Sequence, residues 1–388
     1  MPVIRAAWGR TREAVVSAGS RANLLAPASW VGPTLGDLAV GRHNNLNLLR
    51  FVAASMVLFS HCYPLTGHIA DEPLTVAVAF TDFGTLGVII FFAISGFLIA
   101  QSVTRSPSMM AFIRSRALRL LPALALSTAF CVFVLGPIAT ELPQGAYWTH
   151  PQTWRYLFHT IVLDPQVDLP GVFRHNPYAA PAVNGSLWTI PLEVWCYAAI
   201  GGAALLGVVK RRWAFNLLIV AAMIGFARFE PFVRLHVPSG YAYTTPYLIA
   251  VFFFGAWCFL HRGLVPVSLP VAAMAAVAAI VLLKSPLAKY AFYGGVAYLS
   301  LVFAYNPRLR VDWFLRLGDY SYGIYVFAFP AQQFLVWWLK ISAPMTLFVL
   351  ALPTTLALAV ISWHLVERPA LALKRSGRRT GTDALAAH

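Results

Sequence analysis

The stretch Asn47-Leu48-Leu49-Arg50-Phe51-Val52-Ala53-Ala54-Ser55-Met56-Val57-Leu58-Phe59-Ser60-His61 decides how the rest of the chain is read. It is apolar enough to enter a bilayer, yet it carries an arginine near one end and a histidine eleven residues later. At about 100° per residue, eleven steps of an α-helix bring a side chain back to within about 20° of its starting direction. Arg50 and His61 therefore share one face, about 16 Å apart along the axis. Asn47, Ala54 and Val57 or Leu58 fall on the same stripe. A guanidinium and an imidazole aligned on a membrane helix should face protein or water, because exposure to hydrocarbon costs several kcal/mol. The stripe is a candidate active-site wall, and one continuous cavity joining its two polar ends is expected.

The rest of the chain fits that setting. Of its 388 residues 59% are hydrophobic and 11% charged, with a mean hydropathy of +0.68. A soluble domain is nearer half apolar and a quarter charged, so the expectation is an all-α, polytopic membrane protein. The net charge of +15 does not point to nucleic acid, because the basic residues are spread between apolar spans instead of gathered into one arm. Cys62, Cys131, Cys196 and Cys258 all fall within apolar spans without metal-ligand spacing, which reads as small buried hydrophobes; no metal is expected.

Ten apolar spans are expected, at roughly 46–66, 83–102, 117–138, 186–208, 213–228, 246–260, 264–283, 287–305, 320–340 and 345–366. If the N-terminus is inside, Arg105, Arg114, Arg116, Arg119, Lys210, Arg211, Arg212, Arg262, Arg308, Arg310 and Arg316 all fall on the inner side. The outer loops are poorer in Lys and Arg, so the positive-inside rule favours ten helices with both ends in the cytoplasm. The corresponding division is a weakly ordered cytoplasmic tail over 1–43, the membrane domain over 44–370 and a basic cytoplasmic tail over 371–388. The long outer loop at about 139–185, rich in aromatic residues and histidine, is either a lid or an interfacial aromatic belt. No internal repeat is visible, which weakens the case for a transporter of two related halves.

His61 is the only histidine well inside a span. Its chemistry would be to take a proton from a hydroxyl or to attack an acyl group itself. Glu193, about 10 Å inside the outer end of the fourth span, matches the depth of His61 and is a candidate to orient or ionise it. A structural ion pair elsewhere in the bundle is the other reading of Glu193. Arg116 and Arg119 share a helix face at the membrane level of Arg50. Three guanidiniums at one depth suit phosphates, although arginines at a cytoplasmic helix end also serve as plain anchors.

Six pieces in order resemble one family: Arg50-x10-His61, Phe91-Phe92-x-Ile94-Ser95-Gly96-Phe97, Arg116-x-x-Arg119, Ser186-Leu187-Trp188 with Glu193, Ser321-Tyr322-x-x-Tyr325, and Val366-Glu367-Arg368-Pro369. Together they are similar to the acyltransferase-3 family of bacterial inner-membrane O-acyltransferases, which act on sugars and cell-surface glycans. The resemblance implies acetyl-CoA or another acyl-CoA as donor, a carbohydrate acceptor, essential Arg50 and His61, and a donor site that includes Arg116 and Arg119. Membrane lipids would be the remaining partners. Asn47 stands where many relatives carry aspartate, and Ala328 where many carry histidine, so neither position is given an acid or base role. The alternative class is a transporter or flippase of an anionic or lipid-linked sugar, with Arg50 and His61 lining its path.

Overall fold

A computed structural model describes residues 32–41, 43–166, 168–178, 182–222 and 244–374. Residues 223–228 of the fifth expected span, most of the N-terminal tail (1–31) and most of the C-terminal tail (375–388) lie outside the described residues. Among the described residues helices supply the regular structure and no strand is formed, only isolated bridges. The principal helices are α1 (Leu46–Leu65), α2 (Phe83–Arg105), α3 (Met109–Phe130), α4 (Pro151–Ile161), α5 (Thr189–Leu205), α6 (Thr245–Leu260), α7 (Leu269–Val281), α8 (Ala288–Tyr305), α9 (Ser321–Leu339) and α10 (Pro344–Ser362). Among the described residues, four helical stretches are long and apolar enough to cross a bilayer: Leu46–Leu65, Phe83–Arg105, Met109–Ala139 and Pro344–Lys374.

Local sequence explains where the helices start. Asp82 caps α2 by accepting the Thr85 N–H at 2.7 Å, and Ser108 caps α3 by accepting that of Ala111 at 3.2 Å. Pro151 and Pro344 occupy first-turn positions of α4 and α10, where a missing N–H costs nothing. Residues 32–38, expected as part of a loose tail, are instead tied down. Leu35 N–H donates to Val265 O at 2.9 Å and Gly36 N–H to Arg262 O at 2.7 Å, with Leu35 buried.

Helix α1 sits at the centre, packed against α2, α9 and α10, so the stripe read from the sequence does face protein. Helix α2 in turn runs along α6, and the two backbones nearly touch. A methyl group on Gly96 would collide with the Phe252 carbonyl, and one on Gly255 with the Ala93 carbonyl. Small residues permit such an approach in a bundle where dispersion and backbone contact, not water, hold helices together.

Helix α9 is buried on almost every side from Ser321 to Val336, with Gln332 and Gln333 fully enclosed. Buried amides must be bonded, and these two organise the chain around them. Gln332 Nε2 donates to Leu58 O at 2.8 Å, which ties α9 to α1. Pro330 has no N–H to give to the Val326 carbonyl one turn back. That carbonyl accepts from Ser127 Oγ at 2.7 Å and Asn184 Nδ2 at 2.9 Å instead.

The same contacts trace a chain segment that enters the bundle. Asn176 Nδ2 donates to Gln333 Oε1 at 2.8 Å, Gln333 Nε2 donates to Ala182 O at 2.7 Å, and Tyr325 Oη donates to Ser186 O at 2.6 Å. Between residues 182 and 186 the chain therefore descends alongside α9 from Gln333 to Tyr325, about 12 Å at 1.5 Å per residue. Irregular backbone is tolerated at such depth when protein surrounds it and satisfies its polar groups. Helix α5 begins only after that descent.

Candidate active site

The first turn of α1 contributes Arg50, one face of α3 contributes Arg116 and Arg119, and the residue two before α9 is Asp319. Asp319 Oδ2 accepts from Arg119 Nη2 at 2.6 Å and from Arg50 Nη1 at 3.2 Å. Ser321 Oγ donates to the other carboxylate oxygen at 2.5 Å. One mostly buried carboxylate thus ties three helices together at this end. Burial alone would raise the Asp319 carboxyl, but Arg119, Arg50 and Ser321 more than reverse that and hold it at about 2.

Arg116 differs from the other two. Its Nε donates to neighbouring Ser115 Oγ at 3.2 Å, and among the described residues no carboxylate lies within ion-pair distance of it. All three arginines line one cavity with Ser95, Glu193, Tyr197, Tyr322 and Tyr325. The free space within it is about 80 Å³, well below the roughly 300–1,000 Å³ usual for ligand sites, so the cavity is narrow as it stands. It offers fixed positive charge at one end and mixed aromatic and apolar walls beyond.

Glu193 does not stand beside His61. Its Oε1 accepts from Ser95 Oγ at 3.0 Å and from the Tyr197 hydroxyl, and it faces the arginine cavity. The depth argument placed the start of α5 at the outer surface. The descending segment instead carries that start to the level of Tyr325, so a further turn brings Glu193 down to the arginines. The signal was present in Gln332-Gln333 within an apolar span, since two buried amides demand polar backbone nearby.

His61 lies on the other side of a partition. Its ring packs edge-on against Phe329, centroids 5.2 Å apart, and Nδ1 is enclosed with no hydrogen-bond partner. Phe329 in turn meets Tyr178 at 5.7 Å and closes over Gly185, where a methyl group would lie 2.8 Å from the ring. His61 is not among the residues lining the arginine cavity. Ala54 and Leu58, on the stripe between Arg50 and His61, are fully buried in apolar packing. The expected single open passage from Arg50 to His61 is therefore not formed: the arginine cavity stops short of His61, and apolar packing fills the stripe between them.

A family model for an acyltransferase domain matches residues 43–364. The chain belongs to the acyltransferase-3 family. A protein of Shigella phage Sf6 described as an O-acetyl transferase is 30% identical over 344 residues, covering 84% of this chain and 96% of its own length. Nodulation protein 10 of Rhizobium leguminosarum bv. viciae is 28% identical over 384 residues, covering 89% and 98%. No solved structure matches. Membership in the acyltransferase-3 family supports O-acyltransferase activity in a multi-pass membrane protein.

In this acyltransferase-3 chain, Asp319 is the site residue that sequence reasoning passed over. It preceded an aromatic stretch and had no spacing relation to Arg50 or Arg119. Asp319→Asn should cost about 2 kcal/mol, between the ~1 of an exposed pair and the ~3–5 of a buried one. A folded carboxyl held at about 2, against an ordinary value near 4, stabilises fully above about pH 4 and loses that contribution as pH falls through about 2. Thermal unfolding should then show a deficit for Asp319→Asn that is constant between about pH 5 and 8. A deficit confined to acid pH would contradict the ion pair.

Proposed function

We propose that the protein transfers an acyl group, acetyl in the first instance, from acyl-CoA to a carbohydrate hydroxyl at a bacterial inner membrane. The acceptor would be a cell-surface polysaccharide or its lipid-linked precursor. In this reading ten helices cross the bilayer with both termini in the cytoplasm, which puts the arginines on the side where acyl-CoA is made. The observation that carries it is the convergence of Arg50, Arg116 and Arg119 on one cavity lined also by Ser95, Glu193 and Tyr325.

Arg116, which has no carboxylate within ion-pair distance among the described residues, would take the phosphates first, assisted by the outward edges of Arg50 and Arg119. The pantetheine arm would run past Ser95 and Tyr325 toward His61. In direct transfer, His61 accepts the proton of the acceptor hydroxyl as its oxygen forms a bond to the thioester carbonyl carbon. The carbon–sulfur bond then breaks, and the proton passes to the departing CoA sulfur. In the covalent route an imidazole nitrogen makes that bond first, CoA leaves as the thiol, and the hydroxyl displaces His61 in a second step.

Arg116→Ala should raise the dissociation constant for CoA roughly 10- to 100-fold, the equivalent of one lost hydrogen bond between charged groups. Titration calorimetry on the purified protein reads this directly. The wider function is tested by incubating vesicles that hold the protein with acyl-CoA and glycan. Consumption of thioester together with a gain of ester on the glycan is the expected result. Movement of unmodified glycan across the vesicle wall without acyl-CoA consumption would replace the enzyme with a transporter.

A further inference from the structure

Val88, Phe91 and Tyr325 are among the residues that line the arginine cavity. Phe329, the ring that covers His61, lies one helical turn beyond Tyr325 on α9. Phe91 of α2 meets Tyr325 edge-on, centroids 6.1 Å apart. It packs both against the apolar cluster around α2 and α6 and against the one that contains Ala54, Leu58 and Phe329. No other ring lining the cavity has a place in both clusters.

We infer that Phe91 is the movable partition between the donor cavity and His61, and that its ring sets the size of acyl group that can reach the histidine. This rests on the proposed acyl transfer.

Of the two rings that meet edge-on here, Phe91 is the one without a polar bond. Tyr325 is fastened by its bond to Ser186 O and by its contact with the Thr189 hydroxyl. Helix α2 is pinned on both sides of Phe91, by Gly87 against the Ala53 carbonyl of α1 and by Gly96 against α6. A shift of the whole helix would break both seams. Phe91 is only part-buried and its ring has no polar bond to lose, so rotation about its own side-chain torsions opens the partition at least cost. A small acyl group needs little displacement of the ring, and each added methylene needs more.

The test has two arms, run on Phe91→Ala and on Phe91→Leu, which keeps more of the packing should the alanine variant fold poorly. In the first arm His61→Cys is combined with each variant in inside-out membrane vesicles, where the arginine end faces the medium. A membrane-impermeant thiol reagent is added, and each Phe91 variant without His61→Cys serves as blank for the native cysteines. Labelling of position 61 should be slow with Phe91, faster with leucine and fastest with alanine. In the second arm, with His61 intact, kcat/KM for hexanoyl-CoA relative to acetyl-CoA should rise at least about tenfold in Phe91→Ala, on the scale by which apolar pockets sort methylenes. Labelling no faster than with Phe91 present, or a chain-length ratio that does not move, overturns the inference. Failure of the unsubstituted chain to consume any acyl-CoA would sink the transferase reading alone, and the labelling arm would still judge the partition.

Discussion

His61→Ala should lower acyl transfer by about a thousandfold, since general-base assistance is worth 10²–10⁴ and a thousandfold is about 4 kcal/mol of barrier. The same substitution should leave CoA affinity within about twofold, because an equal affinity is expected when a residue contributes to the transition state and not to ground-state binding. The structure gives the reason for the separation: His61 packs against Phe329 and is absent from the wall of the arginine cavity. Comparing kcat with a calorimetric dissociation constant reads both halves. A His61→Ala protein with normal turnover would remove the histidine from the chemistry. One that lost turnover and CoA binding together would mean that the donor site already reaches the histidine. Glu193→Gln then completes the contrast: Glu193 bonds Ser95 and Tyr197 beside Arg116, so its loss should show in donor binding before it shows in the step His61 performs.

Helical character, the central place of the first span and the gathering of Arg50, Arg116 and Arg119 were legible because each follows from periodicity. A face of a helix can be computed from spacing, and basic residues at one depth have few places to go. What spacing does not carry is the path of irregular backbone. The depth assigned to Glu193 failed because residues 182–186 descend along α9 before α5 begins, and no helical period describes that descent. Asp319 was missed for a related reason: it pairs with Arg50 and Arg119 across 269 and 200 residues of sequence. The partition at Phe91 depends on how rings from α2 and α9 meet, which is a property of packing and not of any one helix. Chemical signals for the first two errors did exist. Gln332 and Gln333 inside an apolar span demanded polar neighbours, and an aspartate at a helix entrance demanded a cation or a cap.

Gly96→Ala should be the most damaging single methyl group among the described glycines. The added carbon would sit inside the van der Waals envelope of the Phe252 carbonyl and crowd the Ala256 N–H, and both are backbone atoms of α6 that no rotamer change can move. Overpacking a well-formed core ordinarily costs ~1–3 kcal/mol and sometimes more. Here relief requires α2 and α6 to separate along a crossing where Gly255 is nearly as close to the Ala93 carbonyl, so the upper end or beyond is expected. Separation would also tilt α2 away from α1 and carry Phe91 and Ser95 with it, so that activity and stability fall together. Gly294→Ala provides the control. A methyl at Gly294 of α8 meets nothing within 4 Å, and alanine is the better helix former by up to about 1 kcal/mol. That variant should match the parent or exceed it. The four free cysteines, all buried, make the measurement direct, because a thiol-reactive dye reports their exposure during a thermal ramp. Gly96→Ala should unfold well below the parent and Gly294→Ala at or above it. Equal midpoints for the two variants would mean that the α2–α6 seam has slack, and the helix that fixes the partition at Phe91 would then be free to shift.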